Sequence, residues 1–128
     1  MNGLLTNSGD PSFKELRQLV LSSLEDFKAI DVQEIDVSSQ NSLSDLFVLA
    51  SGSSSRHVQS MAENLVIKAK AAGFPPLGIE GEKEGEWVLV DLNDIIVHLM
   101  QPKTRAFYNL EKLWEAGTAR RSRAATPS

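Results

Sequence analysis

Two kinds of residue in this sequence suggest chemistry: the serines of a short loop and a pair of histidines. Residues 51–57 read SGSSSRH and lie between an apolar run and a periodic stretch, where a strand would end and a helix begin. Such loops often hold phosphate, because the free N–H groups at a helix start attract anions. A P-loop needs GxxxxGK[ST], however, and a dinucleotide-binding loop needs GxGxxG. One glycine and no lysine fit neither pattern, so Ser53 or Ser54 is predicted to cap the helix.

The two histidines, His57 and His98, do not have the spacing of a metal site, since neither HxxxH nor HxH occurs. Cysteine is absent, which excludes disulfides and thiolate-held zinc or iron–sulfur clusters. His98 could pair with Asp91 or Glu80 across the sheet, but a lone histidine in a sheet is more often simply hydrogen-bonded, and this second interpretation is favoured. No GxSxG nucleophile elbow is present. The residues therefore predict no catalytic group, no metal and no cofactor.

Carboxylates cluster at Glu80, Glu82, Glu84 and Glu86. These glutamates flank the glycine-bounded loop EKEG, and a solvated acidic hairpin tip is the simpler interpretation.

The charge is distributed unevenly along the 128 residues. Residues 1–101 carry 7 Lys+Arg against 15 Asp+Glu, a net charge of −8, whereas residues 102–128 carry 6 against 2, a net charge of +4. An acidic body argues against broad binding to the phosphates of DNA or RNA. The basic end is predicted to be a solvated tail, with contact to RNA or to an acidic neighbour as the alternative. No apolar run is long enough to span a bilayer and no signal peptide is recognisable, which fits a cytoplasmic protein without a membrane segment.

Periodic patterns predict a single α/β (α+β) domain with the order α-β-β-α-β-β-β-α, in which helices pack on a mixed five-stranded sheet. The domain is expected to span residues 13–115, between a flexible leader over 1–12 and a flexible basic tail over 116–128. Asp10 and Pro11 would start the first helix. The predicted elements are a helix over 13–29, strands over 32–37 and 46–51, a helix from the serine loop to Gly73, strands over 77–81, 86–92 and 95–100, and one or two short helices over 104–117.

Asn93-Asp94 predicts a two-residue turn that joins the last two strands. In that register one face of the hairpin is purely aliphatic and is predicted to be core. The opposite face is mixed, and it is either covered by packing or used for contact with a partner. Tryptophan and methionine are enriched in interface cores, so a contact role for Trp87 competes with ordinary packing. The mixed face carries Trp87, Leu89, Asp91, Ile96, His98 and Met100.

Four segments, read in order, resemble the ribosomal silencing factor family, also called the Iojap-like family. They are DLFVLASGSSSRHV from Asp45, LGIEG after Pro76, EWVLVDLNDIIVHLM from Glu86 and RAFYNLEKLW from Arg105. The resemblance runs from Phe13 to about Trp114 and does not cover the tail. It implies a fold related to nucleotidyltransferases, a homodimer, and an activity of binding instead of catalysis.

For function, the resemblance implies docking on the large ribosomal subunit through the protein called large-subunit protein fourteen. Docking there would block association with the small subunit and repress translation when nutrients run short. Organelle relatives act in assembly of the large subunit. The partner-contacting tryptophan of the family matches Trp87, and the candidate partner-binding residues are Trp87, His98, Met100, Asp91, Glu80, Arg105 and Tyr108.

A nucleotidyltransferase-like enzyme or a nucleotide-binding module is the alternative function. Related nucleotidyltransferases place a Gly-Ser before a metal-binding Asp-x-Asp, and the serine loop matches that point. Here Gly52-Ser53 is followed by SSRH, so the carboxylates that two-metal chemistry requires are missing. The resemblance therefore implies a loop that has lost its chemistry.

Overall fold

In the part of the chain that the structure describes, three helices and five strands follow one another in the predicted order, and the mixed five-stranded sheet is confirmed. The computed structural model describes residues 11–38 and 44–108. The predicted basic tail and most of the predicted leader lie outside these residues, although Pro11 and Ser12 already belong to the first helix. The elements are α1 (Pro11–Asp26), β1 (Ile30–Asp36), β2 (Leu46–Ser51), α2 (Ser55–Ala71), β3 (Gly78–Glu80), β4 (Trp87–Asp91), β5 (Ile95–Met100) and α3 (Pro102–Tyr108).

The sheet has the strand order β1-β2-β5-β4-β3, in which β2 and β5 are parallel and the other pairs antiparallel. The predicted hairpin register is confirmed: Trp87 lies opposite Met100, and Leu89 lies opposite His98. Asn93 makes the tight turn at a φ of 76°, and its N–H donates to the Asp91 carboxylate at 2.9 Å. Asparagine tolerates this left-handed conformation better than most residues.

Helices α1 and α2 pack on one face of the sheet. The core lies between them and the aliphatic side chains of that face. Val88, Val90, Val97 and Leu99 of the hairpin are fully buried there, as predicted from their alternation. A bidentate ion pair joins α1 to β1, because the Arg17 guanidinium donates to both Glu34 carboxylate oxygens at 2.6 and 2.9 Å. The helices contribute Phe13, Leu16, Val20, Leu24, Val58, Met61, Ala62, Leu65 and Ala69 to this core.

The first helix ends at Asp26, three residues earlier than predicted. Lys28 follows with a φ of 57°, a conformation that cannot continue a right-handed helix. Phe27, which the periodicity assigned to the apolar face, is consequently 36% exposed. The first strand also begins two residues early, at Ile30, and its pairing with β2 is interrupted by an irregularity between Ile30 and Gln33.

The opposite face of the sheet, called here the outer face, carries the mixed side chains of the hairpin. Parallel pairing places Phe47 of β2 beside Ile96 of β5 on this face. Helix α3 packs against β5 and brings the Tyr108 ring next to Trp87. The outer face therefore combines residues from three strands and a helix that are far apart in the sequence.

Candidate functional site

Trp87 lies at the centre of an aromatic cluster on the outer face. Its side chain is half-buried, and its ring centroid is 4.9 Å from that of Tyr108 on α3. Tyr108 in turn makes an edge contact with Phe107, whose side chain is 78% exposed. The indole Nε1–H donates to Nδ1 of His98 at 3.2 Å. Trp87 thus presents an aromatic surface whose orientation is set from two sides.

His98 lies beneath Trp87 and is simply hydrogen-bonded, as favoured for a lone histidine in a sheet. Its partner is Trp87 and not Asp91 or Glu80. The side chain is only 5% exposed and accepts from the Trp87 indole, with the Phe47 ring centroid at 4.9 Å. Since Nδ1 accepts, the proton of the neutral ring is on Nε2, which is buried and has no hydrogen-bond partner among the described residues. Burial disfavours the charged imidazolium and lowers the pKa of His98 to about 4.

This lowered pKa predicts a loss of stability in mild acid. An unfolded histidine binds a proton with a pKa near 6.5, whereas folded His98 resists protonation until about pH 4. The contribution of neutral His98 to the free energy of unfolding is therefore complete above pH 6.5 and declines as the pH falls towards 4. We expect the free energy of unfolding to fall by about 2 kcal/mol between pH 7 and pH 5 from this group.

Urea unfolding of the native chain and of His98→Gln across this pH range measures the effect. Glutamine retains an acceptor for the indole but does not titrate, and His57 is present in both proteins. If the free energy of unfolding changes with pH by the same amount in both proteins, His98 is not responsible for the loss of stability.

The seven predicted site residues separate into accessible and buried side chains. Tyr108 is 52% exposed, Glu80 is exposed, and Trp87 and Asp91 are half-buried. By contrast, Met100, His98 and Arg105 are 0%, 5% and 7% exposed. These three lie beneath the accessible side chains, where they support them, and their part in partner binding stays a prediction.

Arg105 has a structural partner that explains its burial. Its Nη1 donates to the hydroxyl of Ser51, at the end of β2, at 2.9 Å. The contact joins α3 to the sheet three residues before Tyr108. Arg105 therefore positions the helix from which Tyr108 packs on Trp87.

The loop between β3 and β4 determines the position of Trp87, the first residue of β4. Gly81 has a φ of 81°, and a Cβ atom there would stand 2.1 Å from the Trp87 carbonyl oxygen. The Gln101 side chain donates to Gly85 O at 3.2 Å, and its backbone N–H donates to Glu86 O at 3.1 Å. The glutamate side chains of the loop are exposed, as predicted for an acidic tip, but its backbone is held firmly.

Sequence reasoning did not find Phe47, Gln59 or Gln101. Phe47 reaches the site through the parallel β2–β5 pairing, for which local periodicity carries no signal. Gln59 donates from α2 to the carbonyl oxygens of Glu82 and Lys83 at 3.0 and 2.8 Å. A glutamine that holds a distant backbone has no motif, so neither glutamine could be identified from the sequence.

The serine loop is closed by its own side chains. Ser54 is the N-cap of α2, with its Oγ accepting from the His57 N–H at 3.0 Å, which confirms the predicted cap. The His57 ring accepts from the Ser53 N–H at 2.9 Å and donates from Nε2 to Phe27 O at 2.7 Å. Two of the N–H groups that would attract an anion are therefore already satisfied.

Replacing Ser54 with alanine is expected to lower the free energy of unfolding by about 0.5–2 kcal/mol, because the first turn of α2 loses its cap. Ser53→Ala should have a much smaller effect, since Ser53 acts chiefly through its backbone N–H. Chemical denaturation of both variants measures the difference. Equal losses at the two positions would contradict the assignment of the cap to Ser54.

Comparison with known proteins identifies the family. The profile described as "Ribosomal silencing factor during starvation" matches residues 10–127. The chain belongs to the ribosomal silencing factor family. The match includes the segment after Trp114, which the sequence motifs had not covered.

Among the described residues, no three His, Asp or Glu side chains are grouped to hold a metal ion. No helix in the described part is long and apolar enough to cross a membrane.

Relatives of this family member come from bacteria and from mitochondria. It is 44% identical over 110 residues to the ribosomal silencing factor of Zymomonas mobilis, covering 86% of this chain and 81% of that protein. It is 37% identical over 99 residues to a mouse protein named "Mitochondrial assembly of ribosomal large subunit protein 1", covering 75% of this chain and 43% of that protein. A crystal structure of a Chromobacterium violaceum protein is 41% identical and superposes with a TM-score of 0.77, covering 80% of this chain and 85% of the other.

Proposed function

We propose that this chain binds the large ribosomal subunit through its outer face, blocks association with the small subunit and thereby represses translation in the cytoplasm. Membership of the silencing factor family supports this function. So does the name of the mouse relative, which refers to the ribosomal large subunit. The observation that carries the proposal is the half-buried Trp87, held in place by His98 and Tyr108 on a face that the described helices cover only in part.

The chemistry of the outer face suits a protein partner. Trp87, Leu89 and Ile96 are half-buried, so apolar area remains available at the centre. Asp91 and Glu80 provide a polar rim. An aromatic centre within a polar rim is the usual composition of an interface whose binding energy is concentrated in a few residues. The partner proposed, as the family resemblance implies, is large-subunit protein fourteen.

Binding instead of catalysis is supported by the state of the serine loop. In nucleotide-binding proteins the N–H groups at such a helix start face the phosphate. Here the N–H groups of Ser53 and His57 are occupied by side chains of the same loop. This arrangement favours a structural turn over the alternative of a nucleotidyltransferase-like enzyme.

A homodimer is also part of the proposal, on the strength of the family resemblance. Analytical ultracentrifugation of the purified chain measures its mass directly. A mass near twice that of the chain is expected, and a monomer at micromolar concentration would remove this part of the proposal without affecting ribosome binding.

Subunit joining tests the proposed function. Purified large subunits are incubated with increasing amounts of the chain, small subunits are added, and light scattering follows the formation of the full ribosome. We expect inhibition that rises with the amount of chain and saturates. Normal joining in the presence of excess chain would refute the proposal, and heat released on titration with ATP or GTP and magnesium would favour the enzyme alternative.

A further inference from the structure

A second surface, separate from the outer face, lies between α2 and the edge of the sheet. It is a groove of about 380 Å³. Val66, Ile67 and Ile79 form its apolar part, and the Ile67 side chain is 60% exposed. Ile79 lies opposite Val90, whose side chain belongs to the core, so the groove is on the helix side of the sheet. Trp87 faces the other way, and the two surfaces can be tested independently.

The groove runs beside the free edge of β3. This strand, Gly78–Glu80, is the last in the sheet order and pairs only with β4 among the described strands. An edge strand presents backbone N–H and C=O groups that can pair with an incoming strand. Strand addition of this kind is a common way to bind an extended peptide, with affinity from the backbone and specificity from the neighbouring side-chain pocket.

The rim of the groove is acidic. Glu63 comes from α2, and Glu82 comes from the loop that follows β3. Neither carboxylate forms an ion pair with another described residue. The loop that carries Glu82 is fixed to α2 by the Gln59 side chain, whose amide donates to two consecutive carbonyl oxygens. The acidic rim of the groove is therefore already in place before a ligand binds.

Apolar surface next to unpaired carboxylates fits one kind of side chain particularly well. Lysine and arginine bury a long aliphatic stem along apolar surface while the charged head stays at a polar edge. The stem would lie over Val66 and Ile79, and the head would reach Glu63 or Glu82. Nucleic acid is disfavoured at this position, because the same carboxylates repel phosphate.

We propose that the groove between α2 and β3 binds an extended basic segment of another protein, which adds as a strand to β3 and places a lysine or arginine between Glu63 and Glu82. This site is additional to the ribosome-binding face and does not depend on it. A chain bound to the large subunit through Trp87 would still present the groove to a second protein.

Backbone NMR of the full chain with synthetic peptides tests the proposal. The probe is an acetylated and amidated heptapeptide of alternating Thr and Lys, added up to about 2 mM, a range that suits the weak binding of short peptides. We expect saturable shifts in the amides of Gly78, Ile79 and Glu80 and slower hydrogen exchange there. The matched peptide of alternating Thr and Glu should not bind, and an N-methylated Thr–Lys peptide should lose most of its affinity because it cannot pair as a strand.

Two variants locate the site. Glu63→Gln combined with Glu82→Gln should weaken binding of the Thr–Lys peptide by about tenfold, as expected for two surface charges. The matched control Asp91→Asn removes a charge on the outer face and should bind the peptide normally. Absence of saturable shifts, equal binding of the Thr–Glu peptide, or shifts that map to Trp87 and Tyr108 would each overturn the proposal. Shifts of the β3 amides that depend on protein concentration alone would also overturn it, in favour of contact with a second copy.

Discussion

Trp87→Ala is expected to abolish co-sedimentation with large ribosomal subunits while leaving the domain folded. A tryptophan at the centre of an interface contributes about 2–4 kcal/mol on truncation, which weakens binding by about 30- to 1,000-fold. The same change removes a half-buried ring and leaves Nδ1 of His98 without its donor. We therefore expect a stability loss of about 2 kcal/mol, less than for a fully buried tryptophan.

Two measurements on this variant separate a contact role from a packing role. Thermal unfolding reports the stability, and pelleting with purified subunits reports the affinity. Trp87→Phe is the matched control: it keeps an aromatic ring beside Tyr108, loses the N–H donor, and should retain part of the binding. A Trp87→Ala protein that is stable and binds normally, or one that fails to fold, would remove Trp87 from the proposed contact.

Gly81→Ala should be the most destabilising single substitution in the loop before Trp87. A side chain at a φ of 81° costs about 1–2 kcal/mol by itself. The added Cβ would also stand 2.1 Å from the Trp87 carbonyl oxygen, and a backbone atom cannot rotate away. The loop must shift, so we expect a total loss of about 3–5 kcal/mol together with weaker ribosome binding, because the position of Trp87 changes.

Gly73→Ala is the matched control for this prediction. Gly73 has a similar φ of 91°, but a Cβ there meets nothing within 4 Å. Urea unfolding should show only the conformational cost of about 1–2 kcal/mol at this position, and pelleting with subunits should be unchanged. Equal losses for the two variants would mean that the close approach of Gly81 to Trp87 is unimportant.

The hairpin shows what a sequence alone can establish. Asn93-Asp94 determines the register, and the alternation of aliphatic residues then identifies the buried face, so the position of Trp87 opposite Met100 followed from local rules. A helix cap at Ser53 or Ser54 was predictable for the same reason, because a cap and the N–H it accepts from are about three residues apart, and the structure selects Ser54.

Contacts between distant segments could not be predicted in this way. Periodicity placed His98 on the mixed face but did not reveal that its partner is Trp87, because that depends on how two side chains turn across a strand pair. The burial of Arg105 depends on Ser51, which is 54 residues away in the sequence. The hairpin pattern likewise places Met100 on the mixed face, and only the packed structure shows that its side chain is completely buried.

Site-specific photocrosslinking tests the central claim most directly. Phe107 is exposed, aromatic and adjacent to the Trp87–Tyr108 pair, so a benzoylphenylalanine at this position should preserve the surface. The control carries the same group at position 67, on the helix side of the sheet. After irradiation with purified large subunits, we expect position 107 to crosslink to large-subunit protein fourteen and position 67 not to. A crosslink to that protein from position 67 alone, or from neither position when the chain co-sediments normally, would contradict docking through the outer face.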